Sequence, residues 1–261
     1  MKKIGFIGMG NMAQALATGF IESKKVDSSD IFAFAPNQEK LKKNAERIGF
    51  TPKASLKELV NSSDTIFIAC KPYQIENVLD EVKNELKNKA VISIALGWNF
   101  KKYQQYLDES TRIQFVMPNT PALVCEGVFL FEKSNSLLKE ELEQLKELFA
   151  ALGIVEELSD NLMGIGGAVS GCGPAFVDLF IEAYADAAVK YGISRATAYR
   201  LVSQTVLGTA KLQLSTNEHP GVLKDNVCSP AGSTIKGVCA LEKEGLRNAC
   251  IQSIDVIMQK D

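Results

Sequence analysis

Histidine occurs once in the 261 residues, at position 219, and the six cysteines (Cys70, Cys125, Cys172, Cys228, Cys239, Cys250) are scattered, with no C-x-x-C pair and no neighbouring histidine. That distribution argues against a zinc site and against a disulfide framework, so no metal is expected and a reduced, cytoplasmic protein is. Neither sign of charge is in excess. A formal charge of −2 gives no basic field for nucleic acid, and no lysine–arginine run marks an RNA or membrane surface. The opening MKKIGFIG sets two lysines before apolar residues, yet glycines and Asn11 interrupt it too early for a signal-peptide core. No apolar run reads as long enough to span a bilayer. Length alone allows one large or two medium domains with ample core.

What is present starts at Lys3–Ala13, KIGFIGMGNMA. Ile4, Phe6 and Ile7 predict a short buried strand, Gly8-Met9-Gly10-Asn11-Met12-Ala13 fits the G-x-G-x-x-G/A turn, and Gln14 to Ile21 continues as an apolar-rich helix. Strand, glycine turn and helix is the setting that this dinucleotide fingerprint requires. Gly8 permits the tight turn, Gly10 lets the backbone approach a pyrophosphate, and small Ala13 lets the helix sit close to the strand. The helix's amino end and its free N–H groups then point at the phosphates. The bland alternative is a chance glycine pair at a strand–helix turn, which the matching context disfavours.

Further along, Ile31 to Ala35 predicts a second strand, ended by Pro36-Asn37. A Rossmann protein selective for NAD places Asp or Glu there to hold the ribose hydroxyls. Here Ala35 and Asn37 stand instead, with Lys40, Lys42 and Lys43 just beyond. Without an acid a 2′-phosphate is not repelled, so NADPH is favoured, with NADH the alternative donor. Each lysine taken singly also reads as a solvated helix face. Residues 38–48 predict a helix stopped by Gly49, and Ser55 an N-cap for residues 56–61 with Glu58 at the capping-box position. Thr65 to Cys70 is a strongly apolar strand that Lys71-Pro72 breaks at its carboxyl end, where ligands gather in open α/β sheets. Lys71 therefore suits a positioning role beside the cofactor better than proton transfer. A helix over 76–86 and strands over 90–95 and 112–116 lead to Met117-Pro118-Asn119-Thr120-Pro121. Asn119, between two prolines, sits in a rigid turn at the same edge. Its amide would serve the nicotinamide or its ribose, unless the segment is simply a stiffened loop. Strands at 128–131 and 154–158 flank a helix over 138–152. The alternation predicts an α/β fold: a Rossmann-type, NADP-binding domain over 1–159, with a largely parallel sheet and helices on both faces.

From about Asp160 the β pattern stops and helical spacing takes over, predicting an all-α domain over 160–261. Its first helix, with Val177, Phe180, Ile181, Tyr184, Ala187 and Ala188, is apolar nearly all round. Such a helix must be covered on every side, which predicts a homodimer sharing this core; packing wholly against the Rossmann domain is the alternative. Ser170-Gly171-Cys172-Gly173-Pro174 weakens regular hydrogen bonding, either as a bend under a ligand or as a helix kink. Ser229-Pro230 reads as N-cap then N1 of a helix. Gly232, Ser233 and Thr234 would then occupy the first turn, where N–H groups lack helical partners and a ligand carboxylate can rest.

These residues together resemble the pyrroline-5-carboxylate reductases, over essentially the whole chain. The resemblance rests on GFIGMGNMA, ACKP, SIALG, VMPNTPALVCEG, SGCGPAF and, above all, HPGVLKDNVCSPAGSTIKGVCALEKEGLR. It implies NAD(P)H-dependent reduction of the C=N bond of 1-pyrroline-5-carboxylate to L-proline, the last step of proline biosynthesis. It places the NADPH pyrophosphate on Met9 to Met12, the adenosine ribose near Ala35 and Ser55, and the rest of the cofactor along Cys70, Lys71, Pro72, Ala95 and Leu96. Substrate would contact Asn226, Ser229, Gly232, Ser233 and Thr234, from the same or the partner subunit's helical domain. The family's helical domains intertwine into a dimer, and dimers associate into larger rings such as a decamer. Departures from the family pattern are Phe115 where Arg is usual, Cys172 for Ser, Ala231 within a usual Pro-Gly-Gly run, and Gly164-Ile165-Gly166-Gly167 where Asp-Ala-Val-Thr is usual.

Catalysis here asks mainly for placement of a hydride donor over the imine carbon. Thr234 is the candidate to orient the imine nitrogen and relay a proton from water. His219 is the obvious acid by composition, yet it precedes Pro220-Gly221 in a turn, which favours a structural role. One rival reading is a β-hydroxyacid dehydrogenase, a class that needs a lysine one or two turns past a glycine-rich helix start; Phe176 to Ala188 holds none. Another is a non-catalytic NADPH-binding module, for which the Ser229–Thr234 cradle would be superfluous.

Overall fold

The fold, taken from a computed structural model, is described for residues 3–259. Strands and helices alternate: β1 (Ile4–Ile7), α1 (Asn11–Glu22), β2 (Ile31–Phe34), α2 (Gln38–Ile48), β3 (Thr51–Pro52), α3 (Leu56–Asn61), β4 (Thr65–Ile68), α4 (Ile75–Val82), β5 (Ala90–Ser93), α5 (Phe100–Tyr103), β6 (Arg112–Met117), β7 (Gly127–Glu132), α6 (Lys139–Ala150) and β8 (Gly153–Leu158). They form one sheet in the order β3-β2-β1-β4-β5-β6-β7-β8. Every pairing is parallel except β6 with β7. The chain therefore winds outward twice from β1 and β4, and the switch between those two strands is where such sheets open a ligand crevice.

β1, β4 and β5 are buried at every residue, as continuous apolar runs covered on both faces should be. Alternate side chains go to opposite faces. Phe6 and Phe67 join Phe20 of α1 and Phe149 of α6 in one cluster, while Ile7, Ile66 and Ile68 pack on Leu59 of α3 and Leu79 of α4 in another. Local signals read from the sequence act as expected at α2, where Gly49 (φ 99°) ends the helix, and at α3, where Ser55 Oγ accepts from the Glu58 N–H at 3.2 Å. Glu58 returns its bond to the N–H of Ala54, one residue earlier than in the usual capping box.

The remaining helices are α7 (Met163–Gly167), α8 (Gly173–Lys190), α9 (Arg195–Thr216), α10 (Pro220–Val227), α11 (Ser233–Lys243) and α12 (Leu246–Met258), with a π turn over Ala168–Cys172. Two compact units divide between Gly171 and Cys172, later than the 159/160 boundary expected from composition. Residues 160–171 side with the sheet because they pack on it. Met163 is buried with Phe115 and Leu130. A Cβ on Gly166 would meet the side chains of Leu158 and Leu130, and one on Gly167 would meet Met117. Gly166 and Gly167, two of the glycines that depart from the family pattern, thus lie close against side chains of β6, β7 and β8.

In the second unit, among the described residues, only Ala185 and Ala198 are buried, while Leu179, Leu214 and Val227 are each about two-thirds exposed. The helical run Asp160–Lys190 is also long and apolar enough to cross a membrane by length and composition, with 6% of its apolar window buried. This corrects the expectation that no such run exists. Gly171, Gly173 and Pro174 read as breaks, whereas the π turn carries the helix through them. A unit of five helices, α8 to α12, with two buried alanines among the described residues lacks the core needed to stand alone, so its apolar faces require a second copy. The folded protein should accordingly be at least dimeric by light scattering, with a Tm that rises with protein concentration. A folded monomer with a concentration-independent Tm would contradict this.

Candidate active site

The glycine turn is fixed by contact as well as by conformation. Gly8 has φ +95°, and a Cβ there would lie 2.8 Å from the backbone of Ala69 and Cys70 at the end of β4. Its N–H donates to the Phe34 carbonyl at the end of β2 (2.8 Å). Gly8 is thus the point where the ends of β1, β2 and β4 meet. Gly10 serves differently: it is the extended N-cap of α1, makes no side-chain cap, and a Cβ on it would meet nothing within 4 Å. The first N–H groups of α1 are therefore open to a ligand. Gln14 braces the turn by donating to the Met9 carbonyl (3.0 Å), and Arg47 of α2 holds Gln14 at 2.6 Å.

A cleft of about 900 Å³ opens over this turn. It brings together Gly8, Met9, Gly10, Asn11, Met12, Ala35, Cys70, Lys71, Pro72, Ala95 and Leu96, and so all the expected cofactor residues but two. Ser55 does not line it; its hydroxyl is spent capping α3, whose first residue Leu56 reaches the cleft instead. Lys40 and Asn44, one turn apart on α2, line the β2 end, whereas Lys43 pairs with Glu39. Asn44 belongs to no motif in the sequence, although its spacing from Lys40 puts both on one helix face. Among the described lining residues the one acid is Glu81, on α4 and away from β2. Burial pushes the Cys70 thiol up to about 11, so it lines the cleft as a neutral group. A dinucleotide fits these residues, since the cleft has a glycine cradle, an open helix start and no carboxylate at the β2 end.

Asn119 is the second absentee. It is buried, its Nδ2 donates to the Ser170 carbonyl (2.9 Å) and its Oδ1 accepts from the Val128 N–H (2.8 Å). Pro174 has no N–H to give to the carbonyl four residues back, which is that of Ser170. The Asn119 amide satisfies that carbonyl. Both ends of the side chain are thereby engaged within the protein, and Asn119 anchors the loop after β6 rather than lining the cleft. Phe115 packs with Leu130 and Met163, so the loop is held by Asn119 without the family's usual arginine.

In the helical unit, the second candidate segment folds differently from its sequence reading. Ser229-Pro230 does not start α11. Gly232 is the N-cap, extended and without a side-chain cap, and Ser233 and Thr234 are the first two helical residues. Ser229 to Gly232 instead form a reverse turn closed by the Gly232 N–H on the Ser229 carbonyl (3.0 Å). A Cβ on Gly232 would collide with the Ser229 hydroxyl. Ala231 sits at φ 59°, the left-handed region, so its replacement of the family glycine is less innocent than its size suggests. Asn226, Ser229, Ser233 and Thr234 are all exposed around this uncapped helix start. His219 is the N-cap of α10, its Nδ1 accepting from the Gly221 N–H at 3.0 Å. The lone histidine is therefore a helix cap.

The comparisons with known proteins match both ends of the chain. A family model described as pyrroline-5-carboxylate reductase dimerisation matches residues 160–261, and one described as NADP oxidoreductase, coenzyme F420-dependent, matches residues 3–97. The chain is 40% identical over 255 residues to the pyrroline-5-carboxylate reductase of Treponema pallidum, covering 96% of this chain and 97% of that one. It is 39% identical over 260 residues to the Escherichia coli protein of the same name, covering 99% and 97%. A crystal structure of Plasmodium falciparum pyrroline carboxylate reductase with NADP bound superposes with a TM-score of 0.88 at 33% identity, over 98% of this chain and 95% of that one.

The strain at Ala231 is measurable. Ala231→Gly should raise stability by about 0.5–1 kcal/mol in urea unfolding, the left-handed penalty less the extra chain entropy of glycine. A loss of stability would show that the turn does not hold this conformation in solution.

Proposed function

The chain belongs to the pyrroline-5-carboxylate reductase family, and from that premise we propose how its own residues carry out the reaction. The protein is an NAD(P)H-dependent oxidoreductase that reduces the C=N bond of 1-pyrroline-5-carboxylate to proline, and it works as a homo-oligomer. The observation that carries the reading is a pair of helix starts, α1 and α11, each N-capped by a glycine that offers no side-chain acceptor. Each leaves N–H groups for an anion. The first takes the cofactor's pyrophosphate; the second takes the substrate's carboxylate.

In this proposal Gly8, Met9, Gly10, Asn11 and Met12 hold the pyrophosphate, Ala35 borders the adenosine ribose, and Lys40 faces the 2′-phosphate, which favours NADPH over NADH. Cys70, Lys71, Pro72, Ala95 and Leu96 line the nicotinamide half, on the β4–β5 side of the switch. When bound, NADPH supplies a hydride to the imine carbon. Asn226, Ser229, Gly232 and Ser233 bind the substrate and fix its ring. The Thr234 hydroxyl hydrogen-bonds the imine nitrogen, whose protonation lets the neighbouring carbon accept hydride, and relays that proton from water; a threonine is too weak an acid to do more. The helical unit presenting these groups belongs to the same chain or to the second copy. Dimers associate further, a decamer being the proposed end point, and the protein acts in the cytoplasm. A β-hydroxyacid dehydrogenase is disfavoured because α8 carries no lysine before its last residue, Lys190.

Steady-state NADPH and NADH oxidation with pyrroline-5-carboxylate tests the reading directly. Thr234→Ala should lower kcat about tenfold or more, the low edge of proton-transfer contributions, and unchanged turnover would remove Thr234 from the mechanism. Lys40→Glu should raise the KM for NADPH by about tenfold while moving that for NADH far less, as expected of one charge facing a phosphate. Equal shifts for both cofactors would leave Lys40 as a solvated lysine.

A further inference from the structure

Trp98, the single tryptophan of the chain, is 2% exposed and reaches a residue that lines the cleft. Its indole Nε1 donates to the Pro72 carbonyl across 26 residues of sequence (3.2 Å). Pro72 follows β4 and lines the cleft; Ala95 and Leu96 follow β5 and line it too. Trp98 is two residues beyond Leu96, so this one hydrogen bond joins the loops that end two neighbouring strands. The indole is itself held from behind. Tyr103 and Tyr106 pack on it with ring centroids at 5.0 and 5.1 Å, and the Lys102 ammonium lies 4.1 Å from its centroid. Glu132 fixes the far end of the same segment by accepting the Phe100 N–H at 2.8 Å.

We infer that Trp98 is a positioning residue for the nicotinamide half of the cofactor, acting through the Pro72 and Ala95–Leu96 walls of the cleft. The inference rests on the cofactor orientation proposed above, with adenosine at the β2 end and nicotinamide between the ends of β4 and β5. Trp98 itself does not line the cleft. Its N–H restrains the separation of the two loops beyond the last β4–β5 rung, the Ile94 N–H on the Ile68 carbonyl (3.1 Å). Loss of the N–H alone should loosen the wall that the nicotinamide rests on while leaving the adenosine pocket, built on β1, β2 and α2, as it was.

Trp98→Phe keeps an aromatic ring and removes the donor. Calorimetric titration without imine substrate should show NADPH binding weakened by roughly three- to tenfold, the scale of one net hydrogen bond. Binding of adenosine 2′,5′-bisphosphate, which reaches only the adenosine half, should stay within about twofold, below that scale. Equal weakening of both ligands would make Trp98 a general stabiliser, and no weakening of either would leave it outside cofactor binding; each outcome overturns the inference. Because the measurement needs no turnover, absence of pyrroline-5-carboxylate reduction by the wild type would be a separate result. The unaltered sequence offers a second test if the variant does not fold. With 5-fluorotryptophan at its one tryptophan position, the single ¹⁹F resonance should move on adding NADPH and stay put on adding the bisphosphate. A resonance indifferent to NADPH, or moved equally by both, would contradict the assignment.

Discussion

Everything in the first unit depends on one close approach, the backbone of Gly8 against the peptide between Ala69 and Cys70. The contact leaves no room for a side chain, and the φ of +95° leaves little tolerance for one. It sets the end of β1 against the end of β4 at the point where the sheet order reverses. From there α1 must leave with its first N–H groups facing the crevice. The bracing by Gln14 and Arg47 and the lining by Ala35, Cys70 and Ala95 are arranged around that contact.

The second unit is governed by the opposite condition, a lack of contact. Its helices bury two alanines and leave leucines and valines in the open, so folding and association are one process there. The same unit carries the uncapped helix start at Gly232. If Ser233 and Thr234 bind substrate as proposed, substrate binding is linked to assembly, because they sit in the unit whose apolar faces need a second copy.

Much of this was legible in the sequence where the signal is local. The boundaries of α2 and α3 follow from Gly49 and Ser55, and the burial of β1 and β4 follows from unbroken apolar runs. The glycine turn announces its cleft. Reading failed where a partner lies far along the chain. Asn119 between prolines looks like a ligand group, and only the carbonyl of Ser170, stranded by Pro174, explains its burial. Ser229-Pro230 has the chemistry of a helix start, yet a left-handed Ala231 moves the start to Gly232. The run through Gly171, Gly173 and Pro174 looks broken, and a π turn keeps it helical. Trp98 carries no local signal at all, since its role depends on a carbonyl in another strand's loop.

In the proposed reaction a hydride passes from the cofactor cleft to the imine carbon of a ring held by α11. Deuterium tracing tests it most directly. NADPH deuterated at the transferring position of nicotinamide C4, incubated with enzyme and pyrroline-5-carboxylate, should give proline with a single deuterium at the δ-carbon, as read by NMR. Proline without deuterium, or deuterium released to water, would rule out direct transfer.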